Sequence, residues 1–208
     1  MASSIIHMCI AKEVNKTLKI KDVNMLLLGS IAPDISKHLG QSKIKSHFLT
    51  DGVNIDIESF LKKYSNQLHN PFIMGYYIHL YTDLLWNKYF ITEIVENETI
   101  HLLDGKNINN DPALYTELIY NDYTNLNVQL IDEYSLDLSL FYNNAVLPDI
   151  GMTEIPVSKL PILIDYTGIV IQNTKENKAY TFDLEQIKTF IKTSSYLITN
   201  TIMNTFDN

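Results

Sequence analysis

Between Pro71 and Pro112 the chain contains no other proline, and between Gly75 and Gly105 no other glycine, so nothing in this stretch interrupts a helix once it has begun. Proline suits a first helical turn, because its φ is preset and its missing N–H is one of the donors a helix start leaves unpaired. The pattern predicts a helix from Pro71 to about Val95. On it His79 and Asp83 are four residues apart, so both side chains leave one face, a turn apart. Tyr77, Ile78, Leu80, Leu84 and Trp86 surround them. An unpaired carboxylate among such neighbours is costly to bury, so Asp83 needs a partner. An imidazole and a carboxylate stacked this way can clasp a metal ion, or can simply hydrogen-bond each other or a neighbouring helix. The spacing alone does not separate the two.

The rest of the chain bounds the answer. Its 208 residues suffice for one sizeable domain, and 46% hydrophobic against 19% charged residues, with 7 glycines and 6 prolines, predict an ordered, helix-rich globule. A net charge of -8 and the lack of any Lys/Arg cluster larger than pairs such as Lys62-Lys63 argue against a surface that tracks duplex nucleic acid. The single cysteine, Cys9, excludes an intramolecular disulfide and a cysteine-based zinc site, which fits a reducing compartment. The start Met1-Ala2-Ser3-Ser4 does not read as a signal peptide, and no run approaches the roughly 18 apolar residues of a membrane span. The expected location is cytoplasmic.

Helical periodicity recurs along the chain. A first helix is expected over 3–17, capped by Ser3 or Ser4, with His7 near its apolar stripe. A second over 22–31, capped by Asp22, runs into Gly29-Ser30-Ile31-Ala32-Pro33-Asp34, where the proline breaks the helix and presents Asp34. Residues 35–54 read as polar and irregular and contain Ser46-His47-Phe48. An amphipathic helix is expected over 55–67. Beyond the central helix come a polar connector containing His101, a long helix over 112–134 with Asp111 as cap, and a short apolar helix near 136–144. A loop from Pro148 to Pro156 precedes a helix over 157–171, although Ile169-Val170-Ile171 also suits a strand. Gln172 to Lys178 reads as a loop, Ala179 to Phe182 as extended, and Asp183 as the cap of a last helix to about Asn204. The expected fold is a single all-α domain over residues 1–208, a multi-helix bundle around a metal site, with minor irregular or β content in the C-terminal third.

Taken singly, His7 reads as a core histidine, Asp34 as a turn residue and His47 as a loop histidine. Together His7, Asp34, His47, His79 and Asp83 supply three imidazoles and two carboxylates. This donor set suits zinc, and also iron or manganese. Asp83, with two oxygens, can bridge two ions. A thiol nucleophile at Cys9 is disfavoured, because Cys9 and His7 point to different sides of one helix. H-E-x-x-H, G-x-S-x-G, P-loop and G-x-G-x-x-G patterns do not occur.

The ordered set His7, then Gly29-Ser30-Ile31-Ala32-Pro33-Asp34, then Ser46-His47-Phe48, then Gly75-Tyr76-Tyr77-Ile78-His79-Leu80-Tyr81-Thr82-Asp83 resembles the zinc-dependent phospholipase C family, and in particular its short bacterial members. The resemblance covers residues 5–90. It implies a helical bundle that hydrolyses a phosphodiester or phosphomonoester. It implies that Asp34, His47, His79 and Asp83 hold one zinc, that His7 and a bridging Asp83 hold a second, and that Asp34 orients or deprotonates the attacking water. The chain departs from the family pattern in three ways: it starts with Met1 rather than tryptophan, after Asp83 it has one histidine, His101, so a later third-metal set is missing, and the lipid-binding β-sandwich extension of the secreted members is not expected. The leading expectation is therefore a hydrolase using one or two metal ions on a small-molecule or lipid phosphoester. The alternative is a non-catalytic relative with a structural zinc, acting as a binding or regulatory module. Tyr76, Tyr77, Tyr81 and Trp86 can line a pocket or a core, and helical spacing favours core for Tyr77 and Trp86.

Overall fold

A computed structural model describes residues 1–143, 145–175 and 178–206. In chain order it contains α1 (Ser4–Leu18), α2 (Val23–Ile31), a 3-10 turn (Ala32–Asp34), α3 (Ile35–His38), α4 (Ile57–Tyr64) and α5 (Pro71–Leu85). A π-helical turn (Trp86–Phe90) leads into α6 (Ile91–Ile94). There follow β1 (Val95–Glu96), β2 (Thr99–His101), β3 (Asn107–Asn109), α7 (Pro112–Glu133), α8 (Ser139–Tyr142), α9 (Leu160–Gln172) and α10 (Leu184–Phe206). The all-α expectation holds. Among the described residues no helix is long and apolar enough to cross a membrane.

Side-chain caps start the helices where the sequence places them. Ser3 accepts from the N–H of Ile6, Asp22 from that of Met25, Asn70 from those of Phe72 and Ile73, and Asp111 from those of Ala113 and Leu114. At α10 Asp183 Oδ1 accepts from the N–H of Gln186 while Gln186 Oε1 accepts from the N–H of Asp183, a reciprocal capping box. Helix caps of this kind are each worth about 1 kcal/mol.

The centre of the bundle is the crossing of α2 and α5. A Cβ built on Gly29 falls 2.1 Å from the Phe72 carbonyl oxygen, and one on Gly75 falls 2.1 Å from that of Leu26. The two backbones are thus too close for any side chain at either point. α1 lies across this pair and also packs on α7 and α10, and α9 closes the side formed by α3, α7 and α8. Trp86, fully buried, stacks on Phe90 at 4.3 Å and meets Phe190 edge-on at 5.1 Å, and Tyr77 is equally buried, so both belong to the core.

The β content lies at 95–109, and the C-terminal third holds irregular segments with no strand among its described residues. Val95 pairs with Ile100 across a tight turn in which Asn97 and Glu98 both have positive φ (47° and 62°), and Ile100 pairs with Ile108. Glycine usually marks the second of these positions, and glutamate there hid the hairpin from the sequence. Ile169-Val170-Ile171 is helical within α9. Ala179 to Phe182 forms no strand because its donors are taken elsewhere. The buried Asp122 carboxylate of α7 accepts from the backbone N–H groups of Tyr180 and Thr181 (2.8 and 2.7 Å) and from the Thr181 hydroxyl (2.6 Å). The helix expected near 136–144 and the loop expected from Gln172 to Lys178 include Asn144, Glu176 and Asn177, which lie outside the described residues.

Candidate metal centre

Five side chains from four segments of the chain meet where α1, α2 and α5 cross. α1 supplies His7, the turn after α2 supplies Asp34, and α5 supplies His79 and Asp83. The 43–47 turn supplies His47, which a surface-loop expectation misplaces. That turn closes with a hydrogen bond from the N–H of His47 to the Lys43 carbonyl (2.8 Å), and the Tyr76 hydroxyl of α5 donates to the Ser46 carbonyl (2.5 Å). Phe48, held at φ 51°, packs its ring on Phe60 and Tyr76 at 5.4 and 6.1 Å. The cost of that left-handed aromatic residue is offset by its packing, and His47 is turned inward. His7, His47, His79 and Asp83 are each 0% exposed, and Asp34 is 14% exposed.

The hydrogen bonds fix the tautomers. His79 Nδ1 lies 2.8 Å from the Ser30 carbonyl oxygen, which only accepts, so Nδ1 carries the proton. For His47 the decision runs through a chain. Ser36 Oγ donates to the Pro33 carbonyl (3.2 Å) and Ser46 Oγ donates to Ser36 Oγ (3.0 Å), so Ser46 must accept from His47 Nδ1 at 2.9 Å. In the neutral form of both rings the Nε2 atoms then carry lone pairs, and these atoms face each other at 3.2 Å. Two lone pairs at that distance repel unless a cation or proton lies between them. Around them stand the Asp83 carboxylate, with Oδ2 at 3.4 Å from His79 Nε2 and 3.7 Å from His47 Nε2, and Asp34 Oδ1, at 3.7 Å from His47 Nε2. His7 Nε2 lies 3.4 Å from Asp83 Oδ1, its ring stacked on that of His79 at 3.9 Å.

Electrostatics reinforce this picture. Burial, with the neighbouring His79, lowers His47 to about 3, and the same two causes lower His7. These rings are therefore neutral at pH 7. Burial alone would raise the two carboxyls, yet His7 and His79 hold Asp83 well below the usual carboxylate range, and His79, Lys43 and His47 do the same for Asp34. Asp83 is thus a buried anion. The Ala2 N–H donates to its Oδ1 at 2.9 Å, while its Oδ2 and both nitrogens of His7 have no hydrogen bond. Buried polar atoms are rarely left so.

A divalent metal fits these donors. Metal–nitrogen bonds of about 2.0–2.1 Å in a tetrahedron put neighbouring donor atoms about 3.3 Å apart, and the separations here run from 3.2 to 3.7 Å. Two overlapping groups have converging donor atoms, His7 with His79 and Asp83, and Asp34 with His47 and His79. They share His79, whose Nδ1 is committed to Ser30, so its one free nitrogen serves one ion at a time. His101 pairs with Asn107, Glu154 with Lys63 and Tyr64, and Asp149 is exposed, so none of them joins the cluster.

Asp34 alone of the five lines a cleft of about 300 Å³ whose walls include Lys37, Lys43, Tyr115, Tyr120, Tyr123 and Tyr166. Lys43 Nζ donates to Asp34 Oδ1 at 3.0 Å, and Asp34 Oδ2 has no partner among the described residues. Sequence reasoning missed the lysines, which sit in a segment with no periodicity, and the serines that hold the imidazoles. Ser46 was visible only as a neighbour of His47. No family model matches the chain, and no curated protein or solved structure shows significant similarity to it.

Proposed function

We propose that the chain is a metal-dependent hydrolase of a phosphate ester, acting in the cytoplasm on a small-molecule or lipid substrate. The observation that carries this reading is the pair of imidazole Nε2 atoms held face to face at 3.2 Å beside the buried Asp83 carboxylate, behind a cleft that reaches them through Asp34. The order of these residues along the chain, which resembles the zinc-dependent phospholipase C family, supports it further. Asp34, His47, His79 and Asp83 would hold one ion, and His7 with the other oxygen of Asp83 a second. Zinc suits the donors, as do iron and manganese. An ion in such a set supplies Lewis acidity, generating hydroxide at neutral pH and neutralising charge on phosphoryl oxygens. The chain's own part is to aim the donors and handle the proton. Ser30 and the Ser46–Ser36 pair keep the imidazole protons on Nδ1. Asp34 Oδ2 would accept a hydrogen bond from the attacking water and orient it, while Lys43 holds the carboxylate in place.

A second reading, a structural ion that staples α1, α2 and α5 without turnover, is favoured by the complete burial of four of the five donors. Elemental analysis of untagged protein beside Asp83→Asn, followed by a phosphoester screen, separates the two. One or two equivalents of metal that fall in the variant, with turnover lost in parallel, is the expected result. Metal bound without turnover of any phosphate ester leaves the structural reading, and no metal under any loading condition sinks both.

A further inference from the structure

The cleft beside Asp34 inverts the charge of the molecule. The chain carries a net charge of -8, yet Asp34 is the one carboxylate on this cleft's wall, against the ammonium groups of two lysines, Lys37 and Lys43. Lys43 is matched by Asp34 at 3.0 Å. Lys37 is matched by no carboxylate among the described residues. Its Nζ donates to the Tyr120 hydroxyl and lies 4.6 Å from the centre of that ring. An aromatic-rich cleft often receives a quaternary ammonium. Here a further positive charge would be repelled by both lysines. The charge of this lining favours an anion.

We propose that Lys37 and Lys43 bind the charged non-bridging oxygens of a phosphomonoester, so that small dianionic monoesters, rather than phosphodiesters or esters with cationic headgroups, are the substrate class. Two ammonium groups that line one cleft, Lys37 with no carboxylate of its own, can meet two charged oxygens of a monoester dianion. Esterifying one of those oxygens removes half the ligand's charge and sets an alkyl group against a lysine, which is desolvated without being paired. The volume of about 300 Å³ is at the small end for ligand clefts, and Ile119, Tyr115 and Val170 offer the alcohol portion an uncharged wall. The inference rests on the phosphoester reading above for the identity of the anion, though the lysines and the cleft stand apart from it.

The test is calorimetric titration of zinc-loaded full-length protein with methyl phosphate and with dimethyl phosphate at pH 7.5, where the first is largely a dianion and the second a monoanion. A charge-assisted hydrogen bond is worth about tenfold or more in affinity. Methyl phosphate is therefore expected to bind at least about tenfold tighter than dimethyl phosphate. Lys37→Ala and Lys37→Gln should remove about that factor for methyl phosphate, leave dimethyl phosphate little changed, and keep the zinc content of the parent. Equal affinity for the two esters, no binding of either, or Lys37 variants that bind methyl phosphate as the parent does would overturn the proposal. The hydrolase reading fails separately. Lys37-dependent binding of methyl phosphate with no ester turned over upholds the anion cleft and removes catalysis. Turnover that prefers a diester and ignores Lys37 does the reverse.

Discussion

The Ser46 hydroxyl accepts from His47 Nδ1 and donates to Ser36, and neither role touches a metal. Its loss in Ser46→Ala frees His47 to carry its proton on Nε2, the nitrogen that faces His79. Outer partners of this kind typically govern about 10–100-fold of metal affinity. Ser46→Ala should weaken zinc binding within that range in a competition titration while leaving the far-ultraviolet spectrum unchanged. The histidines also set a pH dependence. The folded metal-free protein keeps His47 neutral down to about 3, whereas an unfolded chain protonates histidine near its ordinary value of about 6.5. Between those limits the unfolded state binds more protons, so stability rises with pH. Stability of the metal-free protein should therefore be fully present above about pH 6.5 and fall as the pH is lowered toward 3. Urea denaturation across this window should show that slope, and a flatter one in His47→Gln. His79 and Asp83 were legible as a pair from their helical spacing. The burial of His47 was not, because it depends on the Tyr76–Ser46 bond and on Phe48 packing, contacts made across up to 30 residues of chain.

At the scale of elements, the α2–α5 crossing decides whether the site exists. It brings the Ser30 carbonyl to His79 and places Asp34 opposite Asp83, and it requires bare backbone at Gly29 and Gly75. In Gly75→Ala the added methyl would sit 2.1 Å from the Leu26 carbonyl oxygen, so the helices must separate. We expect a loss of about 1–3 kcal/mol in urea denaturation, as for other overpacked contacts, together with weaker zinc binding. Asp122 does for the 179–182 segment what a neighbouring strand would have done, accepting its backbone donors. Asp122→Ala strands these groups and should cost about 3 kcal/mol. Exchange protection should be lost at Tyr180 and Thr181 before it is lost in α10. The helices themselves were readable because each carries its start signal within a turn of its first residue. The 95–109 sheet was not, since its turn uses Asn97 and Glu98 in a conformation that tertiary context, not composition, imposes.

For the whole molecule, an ion bound by α1, the turn after α2, the 43–47 turn and α5 ties together segments 76 residues apart along the chain, from His7 to Asp83, and so couples binding to global stability. Raising zinc from none to 100-fold above its dissociation constant contributes about 2.7 kcal/mol, which in a protein of this size corresponds to a rise of about 5–10 °C in melting temperature. Scanning calorimetry with and without a chelator should show that shift, and Asp83→Asn should show little of it. By itself the sequence determined the all-α class, the order and starts of the principal helices and the pairing of His79 with Asp83 on one helix face, because caps, helical period and prolines act within a few residues and need no partner. Only the tertiary structure decided that His47 is buried, that two imidazole Nε2 atoms face each other, and that Lys37 and Lys43 line one cleft with Asp34. Those properties belong to distances between segments, which the close approach of Gly29 and Gly75 sets and which no local preference encodes.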